Sequence, residues 1–361
     1  MNRVYNFNPG PATLPLAVLE AAQDQLLDYQ GQGMSVMEMS HRSKPYEAIN
    51  AQAEARIKGL LGLGDDYRVL FLQGGASLQF TMLPMNMLPA GETADYILTG
   101  SWSEKAAEEA GRVGQTHIAA TTASEHYCRI PNQDEIALSA NPAYVHITTN
   151  NTIYGSQWHT LPDVGGVPLV ADASSDILSR PVDMGKFALV YAGAQKNLGP
   201  SGVTIVIVRT AWLEQASKAL PVFLRYSTHL GKDSLYNTPP VFAVYMVNLV
   251  LGWIESLGGL EAMAERNAQK ASTIYGVIDA NPGFYRNPIQ PESRSLMNIT
   301  FRLPTPELEQ SFLSGATAQG MIGLKGHRSV GGIRASIYNA MPQMGCDALA
   351  QFMQQFVQQY G

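Results

Sequence analysis

The sequence predicts an α/β protein whose mainly parallel sheet carries helices on both faces, followed by a smaller α+β domain at the C-terminus. Short apolar runs alternate with helical segments through most of the chain. Two of these runs, 167–171 and 187–192, have the length of buried strands, and each leads into a polar residue. With 361 residues, the chain exceeds the usual size of one core, so one large and one smaller domain are expected.

Apolar residues at helical spacing predict the helices, and runs of β-branched and aromatic residues predict the strands. Residues 1–15, rich in proline and glycine, predict an extended arm. The glycine-rich turn 74–77 leads from a strand into a helix that Pro84 weakens. In chain order we expect a helix at 15–29, a helix at 46–63, a strand at 68–72, a helix at 78–88, a strand at 94–99, a helix at 101–110, and strands at 117–120 and 143–148.

The centre of the chain places two chemically useful residues at predicted strand ends. The run 167–171 is followed by Asp172, and the run 187–192 leads to Lys196 in a turn that spans 193–202. A third run, 203–208, starts too soon after Lys196 for a helical crossover, because parallel neighbours need a dozen or more connecting residues. We therefore expect this strand to be antiparallel to the second.

The last hundred or so residues change character. An apolar segment at 240–257 is expected to be buried or to lie at an interface, and Gly258-Gly259 ends it. The sequence then predicts helices at 260–278, 307–319 and 345–360, with strands at 295–301 and 334–338. We expect a large domain at 16–258, with the arm 1–15 joining residues 259–361 in the small one.

Composition excludes several classes of protein. The formal charge of −6 argues against nucleic acid or an anionic membrane as a partner. Cys128 and Cys346 are the only cysteines, too far apart for a metal motif or a disulfide framework, and the histidines show no metal-ligand spacing. The N-terminus lacks a signal-peptide pattern. A cytoplasmic protein without a metal site is expected.

Lys196 and Asp172 suit one cofactor, pyridoxal phosphate. A lysine amine condenses with its aldehyde, and a carboxylate facing the pyridine nitrogen keeps the ring an electron acceptor. Parallel sheets bind ligands at the strand ends where both residues are expected. The turn 74–77 opens a helix, whose N-terminus suits a phosphate. On spacing alone, a surface lysine, a helix-capping aspartate and an ordinary strand–helix turn explain these residues equally well.

Six segments together resemble the phosphoserine aminotransferase family of class-V, fold-type-I pyridoxal phosphate enzymes. They lie in the family's order across nearly the whole chain: 7–12 (FNPGPA), 38–42 (EMSHR), 73–77 (QGGAS), 192–200 (AGAQKNLGP), 236–240 (YNTPP) and 326–340 (GHRSVGGIRASIYNA). The resemblance implies a seven-stranded type of sheet, pyridoxal phosphate as cofactor, and a homodimer with shared active sites.

The resemblance also assigns roles residue by residue. It implies that Lys196, Asp172 and Trp102 are catalytic. Ser77 stands where some members of the family have arginine, so phosphate binding there would rely on main-chain N–H groups and the hydroxyl. The implied cofactor residues are Ala76, Ser77, Trp102, Thr152, Asp172, Gln195, Lys196, Asn237 and Thr238, the last two reaching the neighbouring subunit. The implied substrate residues are Arg334 for the α-carboxylate and His41, Arg42, His327 and Arg328 for a phosphate.

The expected reaction moves an amino group between L-glutamate and 3-phosphohydroxypyruvate, giving O-phospho-L-serine and 2-oxoglutarate. Family members also process a phosphorylated hydroxythreonine, which nothing in the sequence decides. A different transaminase or a cysteine desulfurase is the closest alternative, and the desulfurase would need an activated cysteine. A kinase would need a G-x-x-x-x-G-K-[ST] loop, which is absent. A non-enzymatic binding protein would have no use for Lys196 facing Asp172.

Overall fold

The computed structural model describes residues 3–361 of the chain. Its strands are Tyr5–Asn6 (β1), Tyr67–Leu72 (β2), Thr93–Leu98 (β3), Gln115–Thr121 (β4), Pro142–Thr148 (β5), Leu169–Asp172 (β6), Phe187–Gly193 (β7), Thr204–Arg209 (β8), Asn298–Phe301 (β9), Met321–Ile322 (β10) and Ile333–Ser336 (β11). Its α-helices are Leu16–Asp24 (α1), Lys44–Leu61 (α2), Gly75–Met87 (α3), Ser101–Gly111 (α4), Thr210–Leu213 (α5), Tyr226–Leu230 (α6), Val241–Ser256 (α7), Gly259–Ala280 (α8), Pro306–Ala318 (α9) and Gln343–Tyr360 (α10).

The central sheet has seven strands in the order β2-β8-β7-β6-β5-β3-β4. Strand β8 pairs antiparallel with both β7 and β2, and the other neighbours in the sheet pair in parallel. The prediction that 203–208 runs against the preceding strand is therefore confirmed. The expected mainly parallel sheet is confirmed as well.

Alternate residues of the central strands enter two different cores, which places helices on both faces of the sheet. On β7, for example, Val190 and Ala192 pack with α2 and α7, whereas Leu189 and Tyr191 pack with α3 and α4. Helix α7 is apolar and largely buried, as predicted for the segment 240–257. Among the described residues no single helix has the length and apolarity of a membrane span, although α7 and α8 reach them together across an 84° bend.

A third core lies in the last part of the chain. It combines residues of α8, α9 and α10 with the antiparallel pair β9–β11, and it takes in Phe7 from the N-terminal arm. The arm joins this core because β1 pairs in parallel with β10. These contacts support the proposed division into residues 16–258 and residues 1–15 with 259–361, which stays a prediction.

Three predicted boundaries are wrong by three residues or more: the start of α3, described with the cavity below, and two boundaries at which local hydrogen bonds compete with the regular element. The first helix ends at Asp24 instead of residue 29, since Gly31 and Gly33 adopt left-handed φ angles and the Asp28 carboxylate accepts the Gly33 N–H at 2.7 Å. The strand predicted at 295–301 begins only at Asn298. There the Ser295 hydroxyl accepts two main-chain N–H groups, that of Met297 at 3.0 Å and that of Asn298, the first residue of the strand, at 2.9 Å.

His146 on β5 makes stability sensitive to acid. Its side chain is fully buried, its Nε2 lies 2.8 Å from the Tyr191 hydroxyl, and its ring stacks on Tyr96. Burial lowers the pKa of His146 to about 3. Between pH 6.5 and 3 the unfolded chain therefore binds a proton that the folded chain does not, so stability falls as the pH falls through this window.

We expect His146→Gln to remove this part of the pH dependence. Between pH 6.5 and 4.5 the wild-type free energy of unfolding should fall by about 2 kcal/mol more than that of the variant, because one group contributes up to about 1.4 kcal/mol per pH unit once the unfolded histidine is protonated. Urea unfolding of both proteins at several pH values measures the difference. If the free energies of unfolding of the two proteins fell in parallel, His146 would take up its proton in the folded state with an ordinary pKa, which would contradict the prediction.

Candidate active site

The carboxyl ends of β5, β6 and β7 open into a cavity of about 290 Å³ between the sheet and the third core. The sheet side contributes the segments that follow these strands and the start of α3. Arg334 on β11 and Gly10 in the arm contribute from the other side. The volume is close to that of small-molecule sites in proteins. Strand ends of a parallel sheet are also where such sites are expected.

Lys196 enters the cavity from a tight turn after β7, where the Leu198 and Gly199 N–H groups both bind the Ala194 carbonyl, at 3.1 and 2.9 Å. Its Nζ donates to the Thr152 hydroxyl at 2.9 Å. Gly10 allows this placement, because a Cβ atom there would lie 3.3 Å from the Lys196 side chain. Burial lowers the pKa of Lys196 to about 8; the Asp172 carboxylate opposes that shift and Arg334 adds to it.

Asp172 is the last residue of β6 and is 6% exposed. One carboxylate oxygen accepts the Ser174 N–H at 2.9 Å. Burial raises the pKa of Asp172, whereas hydrogen bonds from Ser174 and the charge of Lys196 oppose that shift. A buried carboxylate with this few partners is stabilised when a cation occupies the cavity beside it.

The start of α4 places an aromatic side chain at the cavity wall. Trp102 lies two residues after Gly100. The φ of 146° at Gly100 and its close approach to Asn151 exclude any larger residue at position 100. The indole ring lies 6.0 Å from Lys196 Nζ, measured from the ring centroid. The buried Trp102 Nε1 and Thr148 Oγ1 have no hydrogen-bond partner among residues 3–361, so polar groups are left for a bound molecule.

Helix α3 directs its N-terminus at the same cavity. It begins at Gly75 after a left-handed Gly74, and no side chain caps it. Ala76 and Ser77 line the cavity in its first turn. The sequence predicts that this helix starts at residue 78, after the turn 74–77. The structure instead starts it at Gly75, so most of the predicted phosphate turn is helical. An uncapped helix N-terminus offers free N–H groups and a positive dipole, which suit a phosphate.

Arg334 brings an unneutralised charge to the cavity. The side chain is 5% exposed, its Nη1 donates to the Thr152 carbonyl at 3.3 Å, and its Nε has no partner within the described part of the chain. Burial lowers the pKa of Arg334, but arginine keeps its charge in proteins. His327 lines the same wall. Burial lowers the pKa of His327, and the charges of Arg334, Arg328 and Lys105 lower it further. This wall is built for an anion.

The loop that carries His327 is closed at its base. The Gly326 N–H donates to the Gly332 carbonyl at 2.8 Å, and Arg302 donates to the Val330 carbonyl at 2.9 Å. Gly332 has a φ of 71°, and a Cβ atom there would lie 2.4 Å from the Arg302 side chain. Glycine is therefore required at this position if Arg302 is to hold the loop.

The structure unites most of the residues that the sequence singled out, and separates the others. The cavity is lined by Ala76, Ser77, Trp102, Thr152, Asp172, Gln195, Lys196, His327 and Arg334. The residues that do not line it are His41, Arg42, Asn237, Thr238 and Arg328. His41 is half-buried with an unpartnered Nε2 in the described residues, whereas Arg42, Thr238 and Arg328 are exposed. Asn237 donates to the Gln73 side chain at 3.2 Å, beside the start of α3.

Sequence reasoning missed several cavity residues. Ser174 and Ser175 follow Asp172, and the small residues after a strand-end carboxylate were the available signal. Asn150 lies just before the predicted Thr152. Gly10 lies in the predicted arm, where no local pattern shows that the chain returns to the sheet. In residues 3–361 no group of histidine, cysteine and acidic side chains could hold a metal ion.

The donor set fits pyridoxal phosphate. An amine, a buried carboxylate, an aromatic wall and an uncapped helix N-terminus face one cavity, which matches the aldehyde, pyridine nitrogen, ring face and phosphate of that cofactor. The chemistry of each group and the unpartnered polar atoms support the fit.

Comparison with known proteins gives consistent matches. The family model described as aminotransferase class-V matches residues 4–349. The phosphoserine aminotransferase of Herpetosiphon aurantiacus is 61% identical, with 99% of each chain covered. The structure of phosphoserine aminotransferase from Bacillus circulans subsp. alkalophilus has a TM-score of 0.98 at 56% identity, covering 99% of both chains. That of PLP-bound phosphoserine aminotransferase from Trichomonas vaginalis has a TM-score of 0.94 at 39% identity, covering 98% of this chain and all of the other.

Proposed function

The chain belongs to the class-V aminotransferase family, and from that membership and its high identity to phosphoserine aminotransferases we propose that it is a pyridoxal phosphate-dependent phosphoserine transaminase. It exchanges an amino group between L-glutamate and 3-phosphohydroxypyruvate, and the products are O-phospho-L-serine and 2-oxoglutarate, in the biosynthesis of L-serine. The observation that carries this function is one cavity in which Lys196 and Asp172 face the unneutralised Arg334.

Bound pyridoxal phosphate supplies an aldehyde that condenses with amines and a pyridinium ring that accepts electrons. Lys196 would hold the aldehyde carbon, and Asp172 would keep a proton on the ring nitrogen. The N-terminus of α3, with Ala76 and Ser77, would hold the phosphate, together with the Gln195 side chain. Thr152 would donate its hydroxyl to the ring oxygen, and Trp102 would cover a ring face and exclude water. Each assignment places a polar or aromatic group where the cofactor has its complement.

Lys196 also moves the proton of the reaction. With the cofactor bound, the amino group of the substrate would take the place of Lys196 on it and leave Nζ free beside the substrate. With a pKa of about 8, that nitrogen is a base near neutral pH; it would take a proton from the substrate α-carbon and deliver it to the carbon that was the cofactor's aldehyde. The hydrogen bond to Thr152 keeps Nζ in the cavity while it is free.

The cationic wall selects the substrates. Arg334 binds the α-carboxylate that both amino donors and keto acids carry, since its planar fork pairs bidentately with carboxylates. The substrate phosphate, or the side-chain carboxylate of glutamate, lies beyond it toward His327. We assign His41, Arg42 and Arg328 to the same phosphate. These three residues do not line the cavity of their own chain. A phosphorylated hydroxythreonine offers the same charged groups, so the proposal extends to it as a second substrate.

We propose a homodimer in which two chains complete each active site. Five of the assigned cofactor and substrate residues do not line the cavity of their own chain: His41, Arg42, Asn237, Thr238 and Arg328. Beside Asn237, the large side chains of Val222, Phe223 and Tyr236 are 45%, 41% and 43% exposed, which suits contact with a second copy. The proposed location is the cytoplasm, in keeping with two unpaired cysteines.

A desulfurase activity is disfavoured by the setting of both thiols. Cys346 is fully buried in the third core, and burial raises the pKa of its thiol to about 12. Cys128 is half-buried and does not line the cavity. A desulfurase needs an accessible thiolate that reaches the cofactor. Within residues 3–361, therefore, no cysteine could act as the nucleophile of a desulfurase.

The absorbance spectrum of the purified, cofactor-loaded protein tests the function. We expect a visible band that is lost when O-phospho-L-serine is added and restored by 3-phosphohydroxypyruvate, because the amino group moves onto the cofactor and off again. L-Glutamate and 2-oxoglutarate should act in the same way. A response to glutamate without one to phosphoserine would keep the transaminase and overturn the substrate. The absence of a band after adding pyridoxal phosphate would overturn the cofactor as well.

A further inference from the structure

The third core contains a buried lysine that the reaction does not use. Lys270 on α8 is 2% exposed, and its Nζ donates to the carbonyls of Ile337, Tyr338 and Asn339 at 2.8, 2.6 and 3.4 Å. No ion pair joins it to an acidic side chain within residues 3–361. Burial lowers the pKa of Lys270 to about 7, which reflects the cost of keeping an ammonium group there. A charge buried without a counter-ion calls for a reason.

The carbonyls bound by Lys270 belong to the segment 337–339, which directly follows the strand β11 that carries Arg334. The Asn339 N–H donates to the side chain of Asn197 at 3.0 Å, and Asn197 is the neighbour of Lys196 in the chain. The segment is therefore one hydrogen bond away from the turn that presents the catalytic amine.

The same segment also binds the part of the N-terminal arm that packs against Lys196. The Tyr338 hydroxyl donates to the Pro9 carbonyl at 2.7 Å. Pro9 precedes Gly10, which packs against the Lys196 side chain. The ammonium group thus fixes a segment that contacts both supports of the catalytic lysine.

A neighbouring side chain on α8 strengthens the connection to the large sheet. Asn267 donates to the Asn339 side chain at 2.9 Å and to the Ser179 carbonyl at 3.0 Å. Asn339 in turn donates to the Leu178 carbonyl at 2.9 Å. Both carbonyls lie in the segment that follows Asp172. Asn267, Asn339 and Asn197 therefore form a buried set of hydrogen bonds between α8 and the segments that follow β6 and β7.

We propose that Lys270 is a positioning residue for amino transfer, whose ammonium group holds the segment 337–339 so that Asn339 fixes Asn197 and the turn of Lys196. This role rests on the proposed function. Ammonium provides three donors for three carbonyls on a stem that spans the apolar core, and no neutral side chain of that length does so. Correct placement of a reacting group contributes strongly to rate, and small displacements from a distant change reduce it.

Lys270→Met tests the proposal, because it keeps an apolar stem and removes the donors. In the cofactor-loaded variant we expect the Asn339 amide to exchange its hydrogen at least about tenfold faster, and kcat to fall by about 10- to 100-fold. The KM values for L-glutamate and the phosphorylated keto acid should stay within about twofold of wild type, since the anion site keeps its charges. Unchanged amide exchange together with unchanged kcat would overturn the proposal.

Tyr285→Phe is the matched control. The Tyr285 hydroxyl donates to the Met353 carbonyl at 2.8 Å in the same core, so its loss removes a buried donor without touching 337–339. This variant should keep the wild-type kcat and the wild-type Asn339 exchange rate. An equal fall of kcat in the control would mean that any loosening of the core slows the reaction, which would overturn the specific role of Lys270.

Asn197→Ala breaks the same link from the other side and serves if Lys270→Met does not fold. It removes the acceptor of the Asn339 N–H and leaves Lys270 in place. We expect a similar fall in kcat with KM nearly unchanged, and a wild-type kcat would overturn the proposal. Failure of the proposed function itself is distinguishable, because wild-type protein would then show no turnover while the exchange of Asn339 still responds to Lys270→Met.

Discussion

Lys196→Ala should lower kcat for amino transfer by at least about 10⁴-fold, because one substitution removes both the nucleophile and the proton-transfer group. In the structure no second amine takes its place: among the described residues, Lys196 is the lysine that lines the cavity. The variant should also lose the visible band of the bound cofactor. Steady-state formation of 2-oxoglutarate and the absorbance spectrum measure the two effects.

Two controls make this result specific. Lys186→Ala removes a lysine that lies outside the active-site cavity, and it should have wild-type rates. The second control mixes Lys196→Ala chains with chains that carry Asn237→Ala and Thr238→Ala. If two chains complete each site, one site of every mixed dimer contains only wild-type residues, and activity should return on mixing. Wild-type rates from Lys196→Ala alone would contradict the assignment.

Arg334→Gln should impair both halves of the reaction, because donor and acceptor each carry an α-carboxylate. Loss of a buried partner in a carboxylate pair costs about 2–5 kcal/mol, so we expect kcat/KM to fall by about 30-fold or more for glutamate and for phosphoserine alike. The side chain is almost fully buried and, within residues 3–361, has no acidic partner to compensate for its charge. Its removal should therefore not destabilise the empty protein, and thermal unfolding should show a melting temperature at or above that of the wild type.

The matched control for this substitution is Arg286→Gln. Arg286 is exposed and donates to the Leu303 carbonyl at 3.1 Å, outside the active-site cavity. Its variant should keep both kcat/KM values. A variant of Arg334 that loses efficiency with phosphoserine only would show that Arg334 binds the phosphate and not the α-carboxylate. Unchanged values for both substrates would remove Arg334 from the site.

Much of the fold and the centre of the site follow from local sequence. Apolar runs of strand length fix β6 and β7, and the residues that end or follow them, Asp172 and Lys196, necessarily emerge at one edge of a parallel sheet. The short connection after Lys196 excludes a crossover, so the antiparallel direction of β8 also follows. These features depend on spacing and on backbone geometry within a few residues, which a single sequence contains.

The ends of helices and strands, and the hydrogen-bond partners of the site residues, are harder to predict from the sequence, because they depend on competition between local hydrogen bonds. Leu26 and Leu27 continue the apolar pattern of the first helix, yet Leu27 is 86% exposed, since the glycine-containing turn after it redirects the chain. Ser174 binds Asp172 through its main-chain N–H. Every residue but proline has that group, so the small residues after Asp172 could indicate a cavity there but not this hydrogen bond.

The sequence by itself determined the chain positions of the seven strands of the central sheet, the pair Lys196 and Asp172, and, through its motifs, the family. Only the tertiary structure decided which charges are buried and what they face. Arg334 meets Thr152 across 182 positions of sequence, and Lys270 looks like any polar residue of an amphipathic helix until its three carbonyl partners are known. The cost of burying a charge depends on every neighbour in space, and those neighbours come from segments whose separation along the chain sets no distance between them.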